Sequence, residues 1–193
     1  MIIAKSKKIL ITGVTGFVGR ELCARLTAAE LDLRCAVRRQ SSIATEVVVG
    51  DIGPDTKWGE ALKGADTVIH LAARVHVMNE SMSEPLTAFR RINVDGTINL
   101  ARQAVVAGVK RFIFLSTVKI NGEETTADQS FTEQDAPHPQ DPYGISKHEA
   151  EEGMRLLAEE TVLEIVIIRP PLVYGPGVKG NFSSMMRWVG KGI

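Results

Sequence analysis

Tyr143 and Lys147, four residues apart, form the pair in this sequence best suited to proton chemistry. On a helix, positions i and i+4 share a face. A phenol titrates near about 10 and is a poor proton carrier at neutral pH. A neighbouring ammonium favours the phenolate and lowers that value. A shift of about three units corresponds to about 4 kcal/mol, which a close lysine and a second cation can supply together. A tyrosine tuned in this way can exchange a proton with a hydroxyl. The plainer alternative is a surface tyrosine and a surface lysine at a helix start. Position favours the chemical reading, because the pair follows an apolar run that ends Leu115-Ser116-Thr117. Parallel sheets bind ligands at the C-terminal ends of their strands. A hydroxyl from Thr117 or Ser116 there would complete a Ser/Thr–Tyr–Lys set.

A second constellation lies near the start. Thr12-Gly13-Val14-Thr15-Gly16-Phe17-Val18-Gly19 spaces its glycines three apart, between an apolar run and a helical pattern. A turn there needs a residue that tolerates positive φ, and backbone can approach a phosphate closely only without a side chain. The following helix points free N–H groups and its positive dipole end at the ligand. Gly13, Gly16 and Gly19 therefore predict a dinucleotide pyrophosphate site, against the alternative of a plain structural turn. The next apolar run enters Arg38-Arg39-Gln40-Ser41-Ser42 with no acid. Guanidiniums suit the 2′-phosphate of NADP better than a bare ribose, so NADP is slightly favoured over NAD; a solvated basic loop is the alternative. Asp51 and Ile52, after the third run, are placed to border the adenine.

Elements that could hold these residues alternate along the chain. Apolar, β-branched runs over residues 8–12, 33–37, 46–49, 67–71, 111–116 and 164–168 read as buried strands. Helical periodicity covers residues 17–29, with Leu22, Leu26 and Ala29 on one face, and residues 85–107, with Phe89, Ile92, Gly96, Leu100 and Ala104 inward. Pro85 suits a first turn. A third helix covers 143–160, with Leu156 and Leu157 inward, and a fourth begins near Asn181. Strand alternating with helix predicts an α/β fold, a doubly wound parallel sheet with helices on both faces. The connection 119–142 is long for a compact domain, and such loops are usually functional.

Composition removes several classes. The chain has 193 residues, 23 Lys plus Arg and 23 Asp plus Glu, so no bulk positive charge serves nucleic acid. No apolar run reaches the roughly 18 residues of a membrane span. Two cysteines, Cys23 and Cys35, form no disulfide framework and read as core positions in a cytoplasmic protein. His70, His76, His138 and His148 lack metal-ligand spacing, so no metal is expected. His70 reads as packed and His148 as exposed. Glu149, Glu151 and Glu152 read as a solvated helix face. Trp58 and Trp188 read as edge packing.

Taken in order, these motifs resemble the extended short-chain dehydrogenase/reductase family, in its NAD(P)-dependent sugar-nucleotide epimerase/dehydratase branch. Thr12–Gly19 resembles the family's nucleotide turn, which adds Thr15, Phe17 and Val18 to the cofactor contacts. His70-Leu71-Ala72-Ala73 resembles the cofactor-lining segment after the fourth strand. Asn93-Val94-Asp95-Gly96-Thr97 resembles the central-helix motif. Tyr143 and Lys147 fall on the catalytic pair, and Thr117, aligned on Gly122, takes the hydroxyl role with Ser116 beside it. Arg169-Pro170-Pro171-Leu172-Val173-Tyr174-Gly175-Pro176-Gly177 resembles the segment bordering nicotinamide and substrate. His76, Thr117 and Asn181 are the implied substrate contacts, and Pro170 joins the cofactor set. Lys119 and Asn121 resemble a bacterial surface-polysaccharide subgroup of 4-epimerases and 4-keto reductases. The resemblance implies a Rossmann domain over 1–193, with 170–193 the start of a substrate region that stops short, so that this chain alone lacks half of its substrate pocket. It implies a UDP-sugar 4-epimerase or 4-keto reductase working by hydride transfer, with a nucleotide sugar as substrate. A homodimer through the central and catalytic helices is possible, with Phe89, Ile92 and Met154 equally suited to the core. The alternative function is a non-catalytic NAD(P)-binding redox sensor, which usually lacks the tyrosine and lysine.

Overall fold

Every strand comes from a run in which apolar and β-branched residues alternate between two covered faces. The computed structural model describes residues 7–41, 43, 45–75, 85–125, 128–178 and 181–190, with the side chains of 181 and 183 outside that description. β1 (Lys8–Thr12), β2 (Leu33–Val37), β3 (Glu46–Val48), β4 (Ala65–His70), β5 (Arg111–Leu115) and β6 (Glu164–Ile168) form one sheet in the order β3-β2-β1-β4-β5-β6. All five pairings are parallel. The chain begins in the middle, runs outward to β3, returns beside β1 as β4 and continues outward to β6. That reversal opens a crevice beyond the C-terminal ends of β1 and β4.

The helices are α1 (Phe17–Ala28), α2 (Gly59–Leu62), α3 (Pro85–Phe89), α4 (Gly96–Val106), α5 (Pro142–Glu160) and α6 (Asn181–Val189). A π turn at Arg90–Asp95 joins α3 to α4. Such turns cluster at functional sites because they re-aim one side chain without ending the helix. Here it directs Asn93 inward, 1% exposed.

Alternation along the strands divides the core in two. Leu10, Val68, Phe112 and Phe114 point to one face and pack with Trp58, Leu62, Leu100, Ala104, Met154 and Leu157, so α2, α4 and α5 cover it. Ile11, Cys35, Val37 and Ile69 point the other way and pack with Leu22 and Leu26 of α1. Full burial of a phenylalanine is worth about 1.5–3 kcal/mol, so Phe112 and Phe114 anchor the first face strongly. Gly96 lets α4 pass close to the loop after β3: a Cβ there would lie 2.7 Å from Ile52 Cγ2.

Several expectations shift. β4 begins at Ala65 and ends at His70, β3 ends at Val48, and Ala29 caps α1 from an exposed position. Leu156 points outward, 60% exposed, because Leu157 takes the inward place on α5. Trp58 is no edge residue but fully buried. Gln103 and Asn99 on α4 explain it: their amides donate to the Thr56 carbonyl at 2.9 Å each and fold that loop under the helix. His148 is half-buried rather than exposed. Cys35 is buried, and burial together with Cys35 pushes the half-buried Cys23 thiol up to about 11. No helix among the described residues is long and apolar enough to cross a membrane.

Candidate functional site

The turn after β1 is built from backbone. Gly13 sits at φ +73°, and a Cβ there would lie 2.7 Å from the Ala72 nitrogen and 2.8 Å from the Leu71 carbonyl carbon. The turn is thus pressed against the segment after β4, and Leu71, Ala72 and Ala73 stand beside it half-buried. A Cβ on Gly19 would lie 2.2 Å from the Gly13 carbonyl oxygen, so the start of α1 folds directly onto the turn. Gly16 is the N-cap of α1 and has no side chain with which to satisfy the first-turn N–H groups; no acid lies in that turn. Thr15, Gly16 and Phe17 are exposed and Val18 is half-buried. Uncapped donors at a positive helix end, with glycine leaving the approach open, fit a pyrophosphate. Arg20 adds a guanidinium, its Nε donating to the Thr15 carbonyl at 2.9 Å. Sequence reasoning passed over it.

Behind the turn runs a buried polar chain. Thr12 Oγ1 and His70 Nδ1 are 2.7 Å apart, and His70 Nε2 and Thr97 Oγ1 are 3.0 Å apart. The Ala72 N–H donates to Thr12 Oγ1 at 3.2 Å. His70 is therefore packed, as its sequence position suggested, and burial with the nearby Lys147 charge depresses it to about 3. Asn93 accepts from the Arg74 N–H at 2.8 Å and donates to the Arg74 carbonyl and to Ser146 Oγ, each at 3.0 Å. Its amide is thus engaged inside the protein, tying the segment after β4 to α5.

The second half of the site is α5. Asp141 caps it, accepting from the Gly144 N–H at 2.6 Å, and Pro142 occupies the first turn. Asp141 also pairs with Lys119, which fixes the start of the helix to the turn after β5. Tyr143 lies edge-on to Phe89, with ring centres 6.3 Å apart. Lys147 is 1% exposed, and its Nζ stands 3.8 Å from the centre of the Phe114 ring. Burial pushes its ammonium down to about 7, with the Glu151 carboxylate pulling the other way. The Tyr143 phenol moves opposite to the expectation. It is raised, first by burial and then by the Asp141 charge, and Lys147 is not among the causes. With its own midpoint at about 7, Lys147 has already given up its proton at the pH where the buried phenol titrates, so no lysine charge is there to lower it. Thr117 is half-buried and its Oγ1 accepts from the Lys119 N–H at 3.3 Å. Ser116 is 3% exposed.

The acidic run on α5 was misread. Glu149 and Glu152 are surface residues paired with Arg90 and His148, but Glu151 is 0% exposed. Its carboxylate accepts from Arg169 Nε at 2.9 Å and Arg169 Nη2 at 2.6 Å, and from Arg155 Nη2 at 2.7 Å. Desolvation opposes its ionisation, yet Arg169, the neighbouring Ser116 and Arg155 together hold it below the usual carboxylate range. Ser116 Oγ lies beside it without a hydrogen bond of good geometry. Arg169 also donates to Asn121 Oδ1 at 3.1 Å. A cleft of about 540 Å³ lies alongside, with Arg155, Arg169, Asn121 and Phe131 in its wall. The sequence did carry a signal: Tyr143, Lys147, Glu151 and Arg155 follow one another at intervals of four.

Other expected site residues spread along the same sheet edge. Arg38 and Asp51, both exposed, face each other at 3.8 Å, and Arg39 is exposed. Ile52 is half-buried against α4. Pro170 accepts from the Val118 N–H at 3.1 Å, extending the β5–β6 pairing. Farther on, Gly175 comes next to Phe17, since a Cβ there would lie 3.9 Å from its ring. The segment after β6 therefore returns to the glycine turn. His76 and the Asn181 side chain lie outside the described residues. In the sheet order, β1, β4, β5 and β6 are adjacent, so the segments carrying Gly13–Gly19, Leu71–Ala73, Ser116–Thr117 and Arg169–Pro170 leave it side by side.

Known proteins resemble the chain over nearly all of its length. Residues 9–191 match the family described as NAD dependent epimerase/dehydratase. A UDP-glucose 4-epimerase of Vibrio cholerae is 48% identical over 192 residues, covering 97% of this chain and 58% of that protein. MoeE5, solved in complex with UDP-glucose and NAD, superposes with a TM-score of 0.77 at 31% identity, over 89% of this chain and 56% of that one. RMD from Pseudomonas aeruginosa, complexed with NADPH, gives 0.73 at 26% identity, over 96% of this chain and 62% of that one. The chain thus spans about three-fifths of the length of these relatives.

Proposed function

The chain belongs to the NAD dependent epimerase/dehydratase family, and from that premise we propose that it binds NAD(P) along the C-terminal edge of its sheet and carries the proton-transfer half of a nucleotide-sugar 4-epimerase or 4-keto reductase. The observation that carries this reading is Lys147, a buried ammonium one helical turn from Tyr143, on a helix that starts beside the strand ends. A lysine is almost never fully buried without a task or a partner. The sugar specificity is read from the UDP-glucose 4-epimerase of Vibrio cholerae and from UDP-glucose in the MoeE5 complex.

Bound NAD(P) supplies a nicotinamide that takes hydride from the sugar C4, or returns it. The chain's own residues do the rest. The backbone from Gly13 to Gly19, with Thr15, Phe17 and Val18, holds the pyrophosphate; Arg38, Asp51 and Ile52 border the adenosine. Leu71, Ala72, Ala73, Asn93 and Pro170 shape the wall on the nicotinamide side. Tyr143 exchanges the proton of the sugar hydroxyl. Its phenol is raised in the chain by burial and by Asp141, so the lowering that it needs comes from cationic charge brought close when the site fills. Lys147, already one turn along α5, adds to it only to the extent that it is kept protonated. Thr117, more accessible than Ser116, donates to the sugar oxygen, with His76 and Asn181 as further sugar contacts. The region 170–193 opens the substrate-binding part, and a homodimer through α4 and α5 is compatible with this reading.

Titrating the protein with NAD⁺ and NADP⁺, and following turnover of UDP-glucose, tests it. Tyr143→Phe should leave cofactor affinity within about twofold and cut turnover by about 10²–10⁴. A variant that keeps its rate removes Tyr143 from the chemistry. Tight cofactor binding with no turnover, in a chain extended to the length of the relatives, would instead support a redox sensor.

A further inference from the structure

Glu151 has no role in the proton transfer itself, yet it is the most deeply buried acid on α5, 0% exposed. A buried carboxylate is costly unless its charge is used. Two arginines reach it from outside the site. Arg169, on the segment after β6, is 14% exposed at its side chain, and Arg155, two turns beyond Lys147, is 49% exposed. On its other side, one turn back along the helix, stands Lys147, whose Nζ rests on the face of Phe114. No ion pair within 4.0 Å joins Lys147 to Glu151, so the acid acts on the lysine through space, as one negative charge among three positive ones.

Other charged groups near α5 have their own surroundings, Arg74 lying over the Phe89 ring that packs on Tyr143. His70 on β4 faces Lys147 and is neutral there. Arg90 of the π turn is engaged by Glu149, and Lys119 by Asp141. Asp141 acts on Tyr143 rather than on Lys147. Glu151 is therefore the acid whose charge reaches the lysine.

We propose that Glu151 is a positioning residue that keeps Lys147 in its ammonium form beside Tyr143, with Arg155 and Arg169 setting how much of its charge the lysine feels. Its importance to the reaction rests on the reading of Tyr143 and Lys147 as the reacting pair; its effect on the Lys147 proton does not. Lys147 and Glu151 are both fully buried one helical turn apart on α5, so little water screens the one from the other and a change of charge at Glu151 is felt at the lysine. Losing Glu151 would leave Lys147, Arg155 and Arg169 without their shared counter-charge, and the lysine is the one able to give up its proton.

The test follows the Lys147 Cε and Nζ resonances by NMR in chains labelled at lysine, from about pH 5 to about pH 11. The unmutated protein should titrate at about 7. Glu151→Gln should move that midpoint down by about one unit or more, and Glu151→Asp, which keeps the charge, should restore most of it. A folded Glu151→Gln protein with an unmoved midpoint overturns the proposal. Should that variant not fold, Glu151→Gln/Arg155→Gln compared with Arg155→Gln alone makes the same comparison with one fewer unpaired charge. An unmoved midpoint there overturns it equally. The alkaline limb of the turnover profile supplies a separate readout: it should fall with the Lys147 midpoint if Tyr143 and Lys147 react. A shifted midpoint with unchanged turnover would retain the Glu151 effect and overturn the reading of the pair.

Discussion

The glycine turn after β1 and the Lys147 corner of α5 meet at one edge of one sheet, but they are made of opposite materials. The turn is backbone pressed on backbone, with no titratable group, and its shape depends on missing atoms: a Cβ at Gly13 or Gly19 would strike backbone, and Gly16 leaves the start of α1 open. The corner is filled with side chains, and it works because charges are buried: Lys147, Glu151, Arg169 and the neutral His70 lie within two turns of helix and three strand ends. A site half of the first kind should be sensitive to added volume and indifferent to pH. The second kind should be the reverse. Dinucleotide binding needs a fixed shape around a constant charge, whereas proton transfer needs a charge that can change. The division of materials follows the division of tasks.

The largest separation should appear in the pH dependence of stability. Burial makes the folded chain hold the Lys147 proton more weakly than the unfolded chain does. Below about pH 7 both states hold it and the full penalty applies. Between about 7 and the unfolded value of 10.5 the unfolded chain binds the extra proton, so stability rises with pH. The whole window corresponds to about 5 kcal/mol. Lys147→Met should flatten that rise, measured as the difference between the two proteins in urea unfolding at a series of pH values. Parallel curves would mean that Lys147 is solvated and that the contrast between the two halves is false.

Next comes the turn. Gly13→Ala forces a side chain into a left-handed conformation and against the backbone of Leu71 and Ala72. The expected loss is about 3 kcal/mol, the same at every pH. A loss that varied with pH would show that the turn is coupled to the charged corner. Gly16 sharpens the point, because it is exposed and its Cβ would meet only the Gly13 carbonyl oxygen, at 3.1 Å. Gly16→Val should therefore stay folded and lose cofactor affinity by about tenfold or more, read by calorimetry. Unchanged affinity would remove the pyrophosphate from this turn.

The two halves were also unequally legible in the sequence. Shape signals are local: glycines three apart between a β-branched run and a helical period place the turn, and the six strands fall within two residues of their expected ends. Strand–helix alternation pointed to a parallel sheet, while the order of its strands had to come from the structure. Burial of charge is not local. The run Glu149–Glu152 reads as surface because glutamates are almost always solvated, and it takes Arg169, eighteen positions away in sequence, together with Arg155 to make the interior tolerable for Glu151. Asn93 was marked by its motif, but that its amide ties Arg74 to Ser146 could be seen only in the fold. Trp58 looked like an edge residue because the α4 amides that fold its loop inward lie more than forty positions away. The fourfold spacing from Tyr143 to Arg155 was visible throughout, but it separates a buried stripe from a solvated one only when the covering strand end is known.

The smallest expected effect tests a second place, besides Arg20, where the turn side of the site borrows charge. Arg38, after β2, faces Asp51, after β3, at 3.8 Å, both largely exposed. Such a pair is worth well under about 1 kcal/mol in water, so a 2′-phosphate can displace the acid at little cost. NADP⁺ would then gain a guanidinium contact that NAD⁺ lacks. Arg38→Ala should weaken NADP⁺ by about fivefold to tenfold, leave NAD⁺ within about twofold and change stability by less than about 0.5 kcal/mol. The relatives admit both outcomes, since MoeE5 was solved with NAD and the Pseudomonas RMD with NADPH. Equal losses for the two cofactors would mean that Arg38 reads the pyrophosphate or ribose they share. No loss for either would return the loop to solvated surface and leave the backbone turn to bind without help from charge.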